Sequence, residues 1–485
     1  MPWTSPASEP ATPPVFVFLI QPPTRSGRTT APLPAEPPAP PWDLVCLHSY
    51  LQARTGHLSQ LFDARLYADW PQALEQAMPL DSRQVVAVVR ARLFEWPAAQ
   101  QVLHTLAQQA PQVMRVLCGP LASARPGTPL HAPLADAIIA GDPEPALRLL
   151  LENRGNLARL RTVPGLALPG QATQPFWWPD LNALPVPAWE SLPWKAYTEY
   201  ARGGVRALVR VSRGHSGQPA DRAFGGVDEP FRLWPFARLA AAFGKCAHLG
   251  VVETLVMDPP GLWSVDRLRE WCDALIAARN THPWSIQLLP RILSPQEGLQ
   301  LREAGCRRIE LILPSTRPDE LARYAVRGEI RILQAALDSM ARAGLEVLVR
   351  CWVGGPGEDR RERRRLLRLA RLLRYPPMRF QPFPLALDSP LMQEVNRDPA
   401  TPELETWLSA CDLDHPPVAA WGGAPGRARA LVLGAGVDRV IRQGWLPRLR
   451  RLWMQWQTVS VIDELEQRAT GLLKQGGPDE DPSLR

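Results

Sequence analysis

The chain has 485 residues, of which 45% are apolar and 21% charged; this composition is typical of a folded protein and excludes the intrinsically disordered class. Single cores rarely exceed about 250 to 300 residues, so the length predicts two domains. A net charge of +7 is modest for this size, so a nucleic-acid partner is compatible with the charge but is not indicated by it.

The N-terminal part of the chain alternates strand and helix patterns. Residues 1–14 are rich in proline and are predicted to be disordered, and 15–20 form an apolar run typical of a buried parallel strand. A helix pattern over 43–55 has Asp43 as its predicted N-cap. Further strands are predicted at 57–64, 84–90, 113–117 and 135–142, and further helices at 70–78, 98–109 and 143–151. This alternation over 15–154 predicts a doubly wound sheet that binds ligands at the carboxyl ends of its strands.

A second set of alternating patterns begins at residue 205. The preceding segment, 155–204, is rich in Pro, Trp and Gly and is predicted to be a linker. Strands are then predicted at 206–211, 252–257, 285–289, 308–313, 346–353 and 379–383. Helices are predicted between them, at 233–249, 264–279, 295–304, 328–343 and 359–374. This cadence over 205–395 predicts a partial barrel of parallel strands, followed by a helical region over 396–485.

The seven cysteines form no CxxC pair, which indicates a reduced, cytoplasmic protein. The N-terminus lacks the basic start and long apolar run of a secretory signal. No stretch approaches the roughly 18 apolar residues of a membrane span, so no transmembrane segment is predicted.

Several short stretches of sequence, in order, resemble the cobalamin-binding radical SAM family over residues 15–395. In the first half these are Gln21-Pro22-Pro23, Gly56 to Asp63, Cys118-Gly119-Pro120 and Gly141-Asp142-Pro143-Glu144. In the second half they are Arg291, Ala304-Gly305-Cys306 and Gly354-Gly355-Pro356-Gly357-Glu358. The resemblance implies an α/β protein with an N-terminal flavodoxin-like (Rossmann-like) doubly wound sheet, a partial (β/α)6 TIM barrel and a helical C-terminal tail.

The resemblance also implies cofactor positions. Cobalamin would be bound by Gln21, Pro22, Asp63, Gly119, Pro120, Gly141 and Glu144, although the DxHxxG motif that supplies an axial histidine is absent. Remnants of an S-adenosylmethionine pocket would be Asp258, Pro314, Ser315, Gly354, Gly355, Gly357 and Glu358. The family commonly has Gly-Ile-Glu-Ser where this chain has Ile312-Leu313-Pro314-Ser315, so a carboxylate is missing.

The loop after the first barrel strand departs further from the family. The family binds a 4Fe-4S cluster there with CxxxCxxC, because thiolates are soft, anionic ligands for iron. Here the three positions would be His215, Pro219 and Arg222. Histidine can bind iron, but proline has no ligand atom and a guanidinium does not coordinate. Unless Cys246, Cys306 and Cys351 converge, we expect neither the cluster nor S-adenosylmethionine, whereas cobalamin binding stays open.

Three functions are compatible with these features. The favoured hypothesis is a non-catalytic, degenerate member that acts as an accessory partner of an active radical SAM enzyme or another enzyme, with cobalamin as a structural or sensory ligand. The second is an active enzyme, either a cobalamin-dependent radical SAM methyltransferase-type enzyme with an atypical cluster or one that uses cobalamin without a cluster. The third is a protein that binds an unrelated small molecule at the barrel mouth. The missing thiolates, together with Pro314, favour the first.

Overall fold

The computed structural model describes residues 15–23, 39–78, 84–92, 95–124, 134–201, 204–217, 229–326, 331–353 and 378–382, and the helical positions 361, 362, 365, 366 and 369. These residues divide into two compact units. The first contains the N-terminal strand and Pro41–Pro193, and the second contains the chain from Trp194 onward. The predictions for 1–14 and 396–485 lie outside the described residues.

The first unit is built on a six-stranded sheet with the order β2-β1-β3-β4-β5-β6. Its strands are β1 Phe16–Gln21, β2 Leu58–Asp63, β3 Val85–Arg90, β4 Met114–Cys118, β5 Ala137–Ile139 and β6 Leu166–Ala167. Strands β1 to β5 are parallel, and β6 is antiparallel to β5. The order 2-1-3-4-5 is that of flavodoxin-like sheets. The predicted flavodoxin-like fold is therefore confirmed.

Helices follow the strands of the first unit, as expected for right-handed crossovers. They are α1 Trp42–Arg54, α2 Trp70–Ala77, α3 Trp96–Gln109, α4 Pro120–Ala124, α5 Pro143–Glu152 and α6 Leu157–Leu160. Helix α1 packs beside α5, and α2 beside α3. The predicted N-cap role of Asp43 is wrong, because α1 begins one residue earlier with Pro41 as its N-cap and Asp43 lies in the first turn.

Residues 155–193, predicted to be part of a linker, instead pack on the first sheet. Within them, β6 pairs with β5, and Phe176 forms an isolated parallel β-bridge with Gly141. The Phe176 N–H donates to the Ala140 carbonyl at 3.1 Å, and the Phe176 carbonyl accepts from Asp142 N–H at 2.8 Å. Gly141 has a φ of +90°, and a Cβ there would lie 2.1 Å from the Phe176 carbonyl oxygen, so only glycine permits this bridge. The first unit therefore extends to Pro193.

The second unit contains a six-stranded parallel sheet with the order β14-β13-β12-β11-β10-β7. Its strands are β7 Val205–Val209, β10 Val251–Val256, β11 Trp284–Leu288, β12 Cys306–Leu313, β13 Glu346–Val353 and β14 Met378–Pro382. A short antiparallel ribbon pairs β8 Ser212–Arg213 with β9 Arg232–Leu233. Sequential parallel strands whose two ends do not pair within the described residues form an open barrel. This confirms the predicted partial TIM barrel.

The helices of the second unit alternate with its strands. They are α7 Trp194–Ala201, α8 Phe236–Cys246, α9 Val265–Ala277, α10 Pro295–Glu303, α11 Pro318–Arg323 and α12 Arg331–Arg342. Ser294 and Glu297 form a capping box at the start of α10. Aromatic rings on α8, α9 and β11 form a buried cluster around Trp271. Among the described helices, none is long and apolar enough to cross a bilayer.

Candidate functional site

The carboxyl edge of the first sheet is occupied by a buried arginine. Arg90, the last residue of β3, is 2% exposed. Its guanidinium donates to Asp43 at 2.7 and 2.9 Å, to Gln21 at 3.1 Å and to Glu95 at 3.1 Å. The Gln21 amide also donates to Glu95, at 3.1 Å. We call these four residues the Arg90 network. It joins the ends of β1 and β3, where flavodoxin-like sheets bind their ligands.

The charges of this network hold one another in place. Burial alone would lower the pKa of Arg90, but Asp43 and Glu95 raise it above its usual value. Burial would likewise raise the pKa of Glu95, but Arg90 and Arg92 bring it below its usual value. The guanidinium and the Glu95 carboxylate therefore remain charged at neutral pH.

The other predicted cobalamin positions are also engaged within the first unit. Asp63 accepts from the Arg65 guanidinium at 2.8 and 2.6 Å and from the Arg65 N–H at 3.1 Å. A Cβ on Gly119 would lie 3.0 Å from the Ala91 carbonyl oxygen, and a Cβ on Gly141 would overlap Phe176.

The three remaining predicted cobalamin positions differ in exposure. Glu144 and Pro22 are buried, whereas Pro120 is exposed at the start of α4. Among the described residues, Gln21 and Asp63 are thus hydrogen-bonded to arginines, and a Cβ on Gly119 or Gly141 would meet the chain's own backbone.

His48 joins three parts of the first unit. It is buried on α1, and its ring nitrogens lie 2.8 Å from Ser59 Oγ on β2 and 2.8 Å from Ser191 Oγ in the segment that follows α6. Burial lowers the pKa of His48 from 6.5 to about 4. The imidazole is therefore neutral at physiological pH.

In the second unit, the predicted pocket residue Asp258 fixes the loop that follows β7. Its carboxylate accepts from the N–H groups of Val211 and Ser212 at 2.9 and 2.8 Å and from Ser212 Oγ at 2.6 Å. Burial raises the pKa of Asp258, an effect that Arg210 and these hydrogen bonds oppose. Both carboxylate oxygens thus bind the start of the loop that contains the degenerate cluster positions.

The loop itself brings one ligand-capable side chain into the described structure. His215 Nδ1 accepts from Gly217 N–H at 3.0 Å, and its buried Nε2 has no hydrogen-bond partner among the described residues. Pro219 and Arg222 lie outside the described residues. Across the described residues, no three His, Cys, Asp or Glu side chains are grouped as metal ligands.

Distant cysteines do not replace the missing ligands. Cys306 opens β12 and Cys351 lies near the carboxyl end of β13, while Cys246 ends α8. All three are buried, and burial raises the pKa of Cys306 and Cys351 well above the usual range of a thiol. Thiols in such surroundings are poor metal ligands. The described residues therefore do not fit an iron–sulfur cluster.

The loop after β12 contains Pro314 and Ser315 and receives a carboxylate from elsewhere in the chain. Ser315 Oγ donates to Glu362, and Thr316 N–H donates to the same carboxylate at 3.0 Å. Glu362 is buried at a helical position that follows β13 in the chain. Sequence reasoning missed it, since no local pattern marks a partner so distant in sequence. The predicted residues Gly354, Gly355, Gly357 and Glu358 lie outside the described residues.

A buried ion network lies on one face of the second sheet. Glu310 on β12 accepts from Arg350 at 2.6 and 3.0 Å, from Arg206 at 3.1 Å and from Gln287 at 3.1 Å. Burial alone would raise the pKa of Glu310, but Arg350 and Arg206 lower it to about 2. We call these four residues the Glu310 network. It was not predicted, since the alternation of a strand shows which residues share a face but not which of them pair.

Comparisons with known proteins give a match in structure only. No family model matches the sequence, and no curated protein sequence matches it. The radical S-adenosylmethionine methyltransferase TsrM from Kitasatospora setae, with tryptophan substrate and a SAM analogue bound, has a TM-score of 0.61 at 16% identity over 79% of this chain and 76% of that chain. The chain has the fold of cobalamin-dependent radical SAM enzymes.

A second solved structure with this fold matches over more of the chain. The cobalamin-dependent S-adenosylmethionine radical enzyme OxsB, with aqua-cobalamin and S-adenosylmethionine bound, has a TM-score of 0.64 at 12% identity over 95% of this chain and 72% of that chain. Another TsrM structure contains cobalamin and a [4Fe-4S] cluster. At these identities the likeness concerns the cobalamin-dependent radical SAM fold alone.

Proposed function

We propose that the chain is a non-catalytic protein with the cobalamin-dependent radical SAM fold that acts as an accessory partner of an active enzyme. The observation that carries this proposal is the loop after β7, which offers a single histidine and no thiolate as an iron ligand. No cysteine occurs between Cys118 and Cys246 in the sequence. Without an iron–sulfur cluster, reductive cleavage of S-adenosylmethionine has no electron donor at this site.

The hydrogen bonds of the other predicted cofactor residues support the same proposal. Gln21 and Asp63 are engaged by arginines at the edge of the first sheet, and Asp258 holds the loop after β7. Each of these polar side chains stabilises the unit that contains it. The fold is thereby kept as a scaffold, which suits a protein whose role is to bind a partner.

Anaerobic reconstitution tests the absence of catalysis. The full chain is incubated with iron, sulfide and hydroxocobalamin, desalted, and examined by metal analysis, visible spectroscopy and assay of S-adenosylmethionine cleavage under reducing conditions. We expect no bound iron and no cleavage. A matched control combines His215→Cys, Pro219→Cys and Arg222→Cys, which restores the CxxxCxxC spacing. About four irons per unmodified chain would refute the proposal.

The same experiment reports on cobalamin. Since Gln21 and Asp63 are already hydrogen-bonded to arginines, we expect the cofactor to elute separately from the protein. Cobalamin retained without iron would instead make the chain a cobalamin-binding partner.

The accessory role needs its own test. An adjacent gene that encodes a protein with an intact CxxxCxxC motif would supply the expected partner, and size-exclusion chromatography of the two purified chains would detect a complex. We expect co-elution and a change in the partner's activity. Separate elution, with unchanged partner activity, would contradict the accessory role.

One observation favours the second function, an active enzyme with an atypical cluster. His215 Nε2 is buried without a partner at the first predicted ligand position, and imidazole binds iron. In that case reconstituted iron would be bound by the unmodified chain and lost in His215→Ala.

A further inference from the structure

Arg291 is held in a fixed orientation at the carboxyl edge of the second sheet. It follows β11, which ends at Leu288, and its Nη1 donates to Glu297 at 2.6 Å. Glu297 is itself fixed, because its other oxygen accepts from Ser294 N–H at 2.9 Å in the capping box of α10. Burial would raise the pKa of Glu297, but the bonds from Ser294 and Arg291 lower it, so the ion pair is maintained at neutral pH.

The remaining donors of this guanidinium have no acceptor. Arg291 Nε and Nη2 are both buried and form no hydrogen bond with any residue that the structure describes. These two nitrogens form one edge of the guanidinium, whose parallel N–H groups match the two oxygens of a carboxylate or phosphate. Burying charged donors without an acceptor is unfavourable, so an acceptor from a bound molecule would stabilise this edge of the guanidinium.

Two further unpaired groups lie at the same edge. Within the described part of the chain, the buried Oγ1 of Thr316, which follows β12, has no hydrogen-bond partner, and neither has the buried Nε of Arg210, which follows β7. Strands β7, β10, β11 and β12 are adjacent and parallel, so the loops that follow them leave from one edge. The carboxylates described at this edge are already bound by the chain: Asp258 by the loop after β7, Glu297 by Ser294 and Arg291, and Glu362 by Ser315 and the Thr316 N–H. The edge is therefore rich in donors.

We propose that this edge binds a small molecule through an oxyanion, a carboxylate or a phosphate, with the Nε–Nη2 edge of Arg291 as its bidentate anchor and Thr316 as a further hydrogen-bonding group. The proposal goes beyond the accessory role and does not depend on it. A ligand-binding partner protein and a ligand-binding enzyme would both use such a site.

Anion titration of the full chain tests the site. Thermal unfolding and titration calorimetry are carried out with sodium phosphate and, separately, with sodium acetate, with ionic strength held constant by sodium chloride. We expect saturable binding and a saturable rise in unfolding temperature with at least one of the two anions. Saturation by phosphate alone or by acetate alone also identifies the class of oxyanion.

Three variants assign the binding to Arg291. Arg291→Lys keeps the charge and its attraction to Glu297 but loses the two-pronged edge, and should weaken binding about tenfold or more. Arg291→Gln should abolish saturation. Arg269→Gln, a control at an exposed arginine on α9, should bind as the unmodified chain does.

Two results would overturn the proposal. The first is a response of the unmodified chain to both anions that equals its response to chloride. The second is binding by Arg291→Lys or Arg291→Gln with unchanged affinity. Because no iron or S-adenosylmethionine is present, failure here would leave the reconstitution result standing, and the converse holds as well.

Discussion

The two sheets end in edges of opposite character, although both carry an arginine at the carboxyl end. In the first unit, Arg90 is surrounded by Asp43, Glu95 and Gln21 and has an acceptor on each side. In the second unit, Arg291 has one carboxylate partner and a buried edge that bonds to none of the described residues. The first edge neutralises its own charge, whereas the second leaves donors for an external group.

The difference follows from where each unit places its charged pairs. The Arg90 network lies at the end of its sheet, on the residues that close β1 and β3. The Glu310 network instead lies within the strands of the second sheet, before they end. The second unit is therefore stabilised by charged pairs within its sheet, and the loops at its carboxyl edge keep donors that can bind a ligand. Three measurements test this contrast.

The largest effect is expected from breaking the first edge. Arg90→Met leaves the carboxylates of Asp43 and Glu95 without their cation, which should lower the free energy of unfolding of the first unit by about 4 kcal/mol. Urea denaturation followed by hydrogen exchange of peptides from β3 measures it. Arg148→Met, which removes an exposed pair with Glu152 on α5, should cost no more than about 1 kcal/mol. Equal losses in the two variants would contradict the structural role of the Arg90 network.

A smaller effect is expected from the second sheet. Glu310 has a folded pKa of about 2 against an ordinary value of 4.5, so its contribution is fully present above pH 4.5 and is lost as the pH falls toward 2. Glu310→Gln should therefore lower the stability of the second unit by about 3 kcal/mol at neutral pH and flatten its acid dependence over that window.

Hydrogen exchange of peptides from β12 provides the measurement for Glu310→Gln. Glu346→Gln is the matched control, since Glu346 belongs to the neighbouring strand but is 62% exposed and pairs with Arg308. An acid dependence that is as steep in Glu310→Gln as in the unmodified chain would show that the Glu310 network does not stabilise the unit.

The sequence was sufficient to predict the alternation of strands and helices but not the partners of the side chains. Strand β13 matches its predicted range of 346–353, because an apolar strand in a parallel sheet is marked by its own residues. Helix α11 was missed, since a six-residue helix is too short to show a periodic pattern. Residues 155–193 were assigned to a linker from their composition, which indicates irregular backbone and not what it packs against.

The predicted site shows the same division. The cysteine-free loop and Pro314 were visible in the sequence itself. The pairing of Asp43 with Arg90 was not, because the two residues are 47 positions apart and Asp43 had a local explanation as an N-cap. Arg291 was noted only as a point of resemblance, since its unpaired donors depend on the burial that the fold creates.

An effect of similar size, which separates the two units by pH, comes from His48. Its folded pKa of about 4 lies below the ordinary value of 6.5, so the first unit should lose about 3 kcal/mol as the pH falls from 6.5 to 4, whereas the contribution of Glu310 is lost only below 4.5. His48→Gln, which can still hydrogen-bond Ser59 and Ser191 but does not titrate, should remove most of this slope. His57 retains a share, because burial lowers its pKa as well. His104→Gln, at an exposed position on α3, is the control, and a slope equal in both variants would assign the acid sensitivity of the first unit to residues other than His48.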